Sequence, residues 1–248
     1  MNLTTDALII RENNNIGEAD RFITALTRDF GIVHASVRGA QRIKSRKITA
    51  TSLLTYSRLT LYKGRKQYII TEAEPLQVFF NLLQDIERLS LAQYFCELAG
   101  AVFPEEEPAP DALRLLLNAL HLLDEGKKHP FQIKAVTELR LLSMAGYMPD
   151  LSVCTGCGAE IPRQAYLLVR EGGIVCETCA ANRVGAMPVS DGVLAAVRHI
   201  VYGDFAKLFA FALPDDGYAA LAKASEQYLL CQLQRGFKTL DFYHSVQI

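Results

Sequence analysis

Four of the six cysteines stand in two pairs, Cys154-x2-Cys157 and Cys176-x2-Cys179, with eighteen residues between the pairs. Two residues between cysteines let one tight turn aim both sulfurs at a single ion. Two such turns complete a tetrahedral shell of four thiolates at about 2.3 Å, the coordination chemistry of Zn2+. Four thiolates leave no position open for water or substrate, so the pattern points to one structural zinc ion and not to a catalytic one. Gly156 and Gly158 give the first turn backbone freedom, and Gly172-Gly173 read as a hairpin ahead of the second pair. Two disulfides, or free cysteines left from a lost site, are the other outcomes for such pairs. Disulfides need an oxidising compartment, whereas the N-terminus has no Lys or Arg ahead of its apolar run and no small-residue cleavage pattern after it. The chain is therefore expected in the cytoplasm, where paired cysteines are more often metal ligands. Cys96 and Cys231 read as core thiols on apolar helical faces.

A second constellation is electrostatic. Residues 30–71 hold nine bases and no acid: Arg38, Arg42, Lys44, Arg46, Lys47, Arg58, Lys63, Arg65 and Lys66. Residues 1–80 carry twelve Lys/Arg against seven Asp/Glu, although the whole chain has a net charge of −1. One half of the protein is thus expected to meet a polyanion. Tyr56, Tyr62 and Tyr68 are interleaved with the bases. On a strand face such rings stack nucleobases at about 1–3 kcal/mol each. A solvated basic loop over core tyrosines is the other reading of the same residues. Contacts of this kind engage phosphates, so binding is expected to be insensitive to base sequence.

The elements that must position these residues change character along the chain. Segments 5–11, 20–27, 31–38, 52–62 and 67–73 are rich in β-branched and aromatic residues and are separated by Asn, Gly and Asp turns. Five short strands, with a longer connection after the third, predict a five-stranded Greek-key barrel of the oligonucleotide-binding (OB) type. An SH3-like barrel fits the strand count almost as well. After Pro75 apolar residues recur every three or four positions, which predicts helix over 76–103, then from Asp111 to Leu123 and over 131–146. A cysteine-bearing module fills about 150–185. Ser190 or Asp191 caps a helix to Tyr202, and a last long helix covers about 217–236. The expected architecture is α+β and multidomain: an OB-fold nucleic-acid-binding domain over 1–78, then an all-helical domain over 79–248 with an inserted four-cysteine zinc knuckle. No stretch is apolar for long enough to predict a membrane span.

The phrases VRGAQRIKSRK and LTLYKGRKQYIITEAE, with Asp20-Arg21 ahead of the second strand, resemble the N-terminal barrel of the RecO family. The helical middle, LLSMAGYMPDLSVCTGCG and the second cysteine pair are similar to its C-terminal part. The resemblance implies a non-enzymatic mediator of DNA repair. Such a protein binds single- and double-stranded DNA, anneals complementary strands and engages single-strand-binding protein. With RecR it helps load RecA onto coated strands. It also implies that Arg38, Arg42, Lys44, Arg46 and Lys47 lie on the family's basic segment, and that the cysteines form a zinc site which some members have lost.

Catalytic signatures are lacking. The sequence has no P-loop, no G-x-G-x-x-G outside the cysteine module, no H-E-x-x-H and no G-x-S-x-G. Its five histidines are scattered without ligand spacing, and Glu105-Glu106-Glu107 reads as a solvated linker. Two other functions remain open on these residues. One is an RNA- or ribosome-associated module built from the same two parts. The other is a GTPase-activating protein, which would need Arg163, Arg170 or Arg183 near the zinc module and would leave the basic barrel unexplained.

Overall fold

The computed structural model describes residues 2–13, 21–37, 47–64, 67–161 and 165–247. In chain order the strands and helices of the first part are β1 (Asn2–Asn13), β2 (Arg21–Thr27), β3 (Gly31–Val37), α1 (Lys47–Ala50), β4 (Thr55–Lys63) and β5 (Tyr68–Val78). A 3₁₀ turn (Asn81–Gln84) then leads into α2 (Ile86–Val102), α3 (Pro110–Glu125) and α4 (Pro130–Met144). The cysteine module holds β6 (Asp150–Cys154), β7 (Ala165–Leu168), β8 (Gly173–Val175), α5 (Glu177–Ala180) and β9 (Ala186–Val189). The chain finishes with α6 (Asp191–Tyr202), a 3₁₀ turn (Phe205–Lys207), α7 (Asp215–Leu233) and α8 (Lys238–Val246). No helix among the described residues is long and apolar enough to cross a membrane.

The first five strands close into a barrel in the order β1-β2-β3-β5-β4. Antiparallel pairs make all of it except the short parallel contact of Ala35 with Tyr68 and Ser36 with Ile69. Strand periodicity explains the closure. Alternate residues such as Ala7, Ile9, Ala25, Val33, Leu59 and Leu61 are fully buried and fill the interior, while Tyr56, Arg58, Thr60 and Tyr62 project from the other face of β4. This is the five-stranded OB architecture expected from the sequence.

Helix α1 lies in the long β3–β4 connection and is held by a buried cation. Arg21 on β2 donates to the Ile48 carbonyl (3.1 Å) and the Thr51 and Ser52 hydroxyls (3.4 and 3.3 Å). Glu12 on β1 faces the same guanidinium at 3.4 Å and accepts from the Leu53 amide at 3.1 Å. The Asp20-Arg21 phrase thus contributes a structural arginine that anchors the end of the basic loop.

Two boundaries differ from the sequence reading. The helix expected from residue 76 begins at Ile86, because β5 continues to Val78 with Gln77 opposite Tyr56 and Val78 opposite Thr55. Pro75 is tolerated there because β5, beyond Ile69, has β4 as its one partner strand among the described residues. The apolar periodicity that suggested helix belongs in part to Leu76, Phe80, Leu83 and Ile86, which are exposed. The second difference is α8, beyond the last expected helix, whose Leu240 and Tyr243 are buried.

Compactness divides the chain into Met1–Glu125 with Phe237–Ile248, and Gly126–Gly236. A division at residue 78 follows the change from strand to helix. Packing instead groups α2 and α3 with the barrel, since both touch β1 and β2, and α8 lies against α2. The 104–109 segment also belongs to this unit. It is docked on the β2–β3 turn and is not a free linker: the Ile32 amide donates to the Pro104 carbonyl (3.0 Å), the Glu106 amide to Phe30 (3.0 Å) and the Ala109 amide to Arg28 (3.2 Å).

In the second unit α4 packs against α6 and α7, and a buried charged cluster joins it to α7. Lys134 Nζ lies 2.7 Å from both Glu138 and Glu226, and the Ser225 hydroxyl donates to Glu138 at 2.5 Å. Between α4 and α6 the chain forms a four-stranded sheet, β6-β8-β7-β9, that carries the cysteines.

Candidate metal centre and nucleic-acid interface

Each cysteine pair is presented by its own backbone turn. After β6 the Gly158 amide donates to the Cys154 carbonyl (2.8 Å) and the Cys154 amide to Ala159 (2.9 Å), which folds Cys157 back beside Cys154. Gly158 has φ of +72°, the left-handed region that glycine adopts without cost. Gly156 is needed for a different reason: a Cβ there would lie 2.9 Å from the Cys179 sulfur. The second pair opens α5, with Cys176 at its N-cap and Cys179 one turn on.

The four sulfurs converge, all within 4.8 Å of one another. Cys176 Sγ is 3.8 Å from Cys154 Sγ and 3.9 Å from Cys157 Sγ. A tetrahedron with metal–sulfur bonds of about 2.3 Å has edges of about 3.8 Å, so the spacing fits four thiolates around one ion. The Cys176 amide, 3.3 Å from the Cys154 sulfur, holds the Cys154 thiol well below its ordinary pKa. Contacts with the Cys176, Cys154 and Cys157 thiols push Cys179 up to about 12. One thiolate forms readily in this cage, but four need a cation to offset their repulsion. The donor set therefore suits a metal ion and leaves it no open face.

Side chains remote in sequence hold the knuckle in place. Arg198 on α6 donates to the Leu151 carbonyl (2.9 Å) and the Ile161 carbonyl (3.1 Å), tying both ends of the first turn. The Leu151 amide donates to the Tyr202 hydroxyl (2.7 Å), which in turn donates to Pro149 (3.2 Å). Gln232 on α7 donates to the Val169 carbonyl at 2.6 Å. None of these anchors was legible as such from spacing.

On the barrel, Arg38, Arg42, Lys44, Arg46, Arg65 and Lys66 lie outside the described residues. The other three bases are placed, and each has a partner. Lys47 donates to the Thr71 carbonyl (2.7 Å). Arg58 makes a two-point ion pair with Asp6, its neighbour across β1 and β4, at 2.9 and 3.3 Å. Lys63 is paired with Glu106 and lies 5.8 Å from the centroid of the Tyr68 ring. Tyr62 is exposed. Tyr56 is half-buried on the same face, and its hydroxyl pKa is raised by burial and by the Asp6 carboxylate. Tyr68 packs in part against the barrel core.

The outer face of β2 and β3 contributes residues the sequence reading passed over. Phe22 is half-buried there, and Thr24 hydrogen-bonds His34 across the strands at 3.0 Å. A bulge after Ile9 brings Arg11 opposite Thr24. These four lie on the face that OB barrels present to oligonucleotides. The signal available for them was the alternation of apolar Ile23-Ala25 and Val33-Ala35-Val37, which leaves Phe22, Thr24 and His34 pointing outward.

A family model described as "Recombination protein O N terminal" matches residues 1–79, and "Recombination protein O C terminal" matches 83–241. The chain belongs to the RecO family. Similar full-length relatives include the DNA repair protein RecO of Acetivibrio thermocellus, 35% identical over 97% of this chain and 95% of that protein. The DNA repair protein RecO of Symbiobacterium thermophilum is 33% identical over 98% and 96% of the two chains. That of Dehalococcoides mccartyi strain 195 is 31% identical over 98% and 95%. The RecO family models meet at residues 79–83, where the barrel strands give way to the 3₁₀ turn ahead of α2.

Proposed function

We propose that the protein is a recombination mediator in DNA repair. It binds single- and double-stranded DNA through the barrel and anneals complementary strands. With RecR it helps load RecA onto strands coated by single-strand-binding protein. The observation that carries this reading is a closed OB barrel on a RecO-family chain whose residues 30–71 hold nine bases and no acid. Arg38, Arg42, Lys44, Arg46 and Lys47 follow one stretch of phosphate backbone, and Arg58, Lys63, Arg65 and Lys66 approach it from β4 and the turn after it. Tyr56 and Tyr62 offer rings for base stacking, and Tyr68 a partly covered one.

Annealing by this route needs no catalytic residue, so the protein is not an enzyme. Cations that neutralise phosphates on two strands lower their mutual repulsion and hold them together while bases find their partners. The driving force is counterion release, so affinity falls as salt rises, with a log–log slope near −0.7 per phosphate on single strands. The four cysteines hold one zinc ion. It closes the knuckle structurally, as a full thiolate shell dictates. The protein acts in the cytoplasm, at the nucleoid.

The test is annealing of complementary strands coated with the cognate single-strand-binding protein, read by fluorescence transfer at two salt concentrations. Annealing that is fast at low salt and fades at high salt is the expected result. No annealing, with equal binding of RNA and DNA, would transfer the barrel to an RNA-associated role. A second expected outcome concerns the loop. Reversing Arg42, Lys44 and Arg46 to Glu should weaken single-strand binding by at least about a hundredfold at low salt while the circular-dichroism spectrum stays unchanged. Unaltered affinity of the folded variant would remove the loop from the interface.

A further inference from the structure

The acidic run Glu105-Glu106-Glu107 is clamped onto the barrel beside the β2–β3 turn and the Lys63 end of β4. Glu105 bridges both Gly31 and Ile32, and its carboxylate lies 3.5 Å from the His34 imidazole. Glu106 pairs with Lys63. The approach is close: a Cβ on Gly31 would lie 2.4 Å from the Glu107 carbonyl oxygen and 2.5 Å from that of Pro104. Gly31 itself has φ of +59°. Glu106 adopts φ of +62°, a left-handed backbone that a residue with a Cβ rarely takes. Backbone of that kind persists where surrounding contacts enforce it, and it collects at binding sites and switches. Here the main chain bends so that consecutive carboxylates meet an imidazole and an ammonium.

His34 and Lys63 are brought to one end of the barrel by the β3–β5 contact. Ala35 lies beside Tyr68, and Tyr68 lies opposite Lys63. His34 and Lys63 thus border the β2–β3 face and the β4–β5 turn, the two surfaces that OB barrels offer to a strand.

We propose that His34 and Lys63 form a phosphate-binding pair for a polynucleotide backbone, and that Glu105 and Glu106 are built-in anionic substitutes which a strand must displace. The proposal rests on the reading of the barrel as a DNA-binding surface. It adds His34 to that surface and gives the acidic segment a function: it weakens binding, makes it reversible and disfavours anions too small to compete at several points at once. A strand that engages the rest of the face supplies two phosphates in place of the two carboxylates. The displaced segment then hangs from Pro104 and Pro110.

The experiment is fluorescence anisotropy of a labelled thymidine oligonucleotide with the full-length protein across a salt series. The variants are Glu105→Gln/Glu106→Gln, Glu107→Gln, and Glu105→Gln/Glu106→Gln combined with Lys63→Gln. Glu107 makes no side-chain ion pair among the described residues, so its variant controls for net charge. The double variant should bind about fivefold tighter at low salt, the order that exposed ion pairs withhold. Its log–log salt slope should be steeper than the wild type's, because rising salt screens the intramolecular ion pairs and so shrinks the penalty that only the wild type carries. Adding Lys63→Gln should cancel the tighter binding, and Glu107→Gln should change affinity by less than half as much. A double variant that binds like the wild type, or no better than Glu107→Gln, overturns the latch while leaving DNA binding by the barrel in place. Absence of binding by every form, the wild type included, overturns the barrel reading and the latch with it.

Discussion

A Cys154→Ser variant is expected to lose its zinc and to melt about 10 °C below the wild type. The sulfurs of Cys154, Cys157, Cys176 and Cys179 occupy one cage within 4.8 Å, and Cys154 is its buried member. Its sulfur also accepts the Cys176 amide at 3.3 Å, which links the first turn to the second. Serine offers a harder and less acidic oxygen that zinc accepts poorly in place of a thiolate. Structural zinc sites bind with about 10–16 kcal/mol in small peptides, and that free energy is folding free energy where the module has little core of its own. The knuckle strands are only three to five residues long, and the anchors from Arg198, Tyr202 and Gln232 hold their outer ends but not the two cysteine turns to each other. Even a quarter of the binding free energy moves the midpoint of a domain of this size by about 10 °C. The checks are zinc per chain by atomic emission and melting by circular dichroism. One zinc per chain with an unchanged midpoint would refute the structural site. DNA binding at low temperature should survive the substitution, because the bases and tyrosines proposed to bind DNA all lie within residues 38–68, outside the cysteine module.

The second large effect is expected at Lys134. Its side chain is 2% exposed and pairs with Glu138, which is fully buried, and with Glu226, which is partly exposed. Truncation to alanine takes the ammonium away from the Glu138 carboxylate and leaves that charge buried beside the Ser225 hydroxyl. Removing one partner of a buried ion pair costs about 3–5 kcal/mol, mostly through the stranded charge. Replacing both members, as in Lys134→Met/Glu138→Leu, removes the stranded charge and should restore most of the loss. Ser225 tolerates this because its hydroxyl also donates to the Ala222 carbonyl at 3.1 Å. Urea denaturation separates the cases. A loss below about 1 kcal/mol for Lys134→Ala would mean that the cluster is hydrated in solution and not a buried network.

Much of the architecture follows from local rules that a sequence states directly. The first Cys-x2-Cys pair needs one turn and a permissive glycine, and both lie within five residues of each other, while the second needs only the first turn of a helix. Period-two alternation produced the five strands, because a strand places every second side chain on one face whatever its neighbours are. Ser190 caps α6 by accepting the Val193 amide, a contact set by three residues of spacing. The limits show where period and context compete. The apolar spacing from Leu76 to Ile86 looks helical, yet pairing with β4 keeps the chain extended through Val78. Phe237, Leu240 and Tyr243 carry the signal for α8, but three positions are too few to separate a short helix from a tail.

What the amino-acid order alone determined is the four-cysteine cluster, the barrel, the basic stretch and membership of a recognisable family. The tertiary structure decided which charges stay available. Lys134 and Glu138 stand four apart on α4, the spacing of a solvated helix pair, but α7 covers them. Lys63 and Glu106 are remote in sequence and meet because the segment after α2 returns to the barrel. Arg21 is buried and binds the α1 segment. A side chain's type and its near neighbours are written in sequence. Its partner across the fold depends on how separate elements pack, and that packing settles whether a cation is a ligand site, a structural pin or a latched binding group.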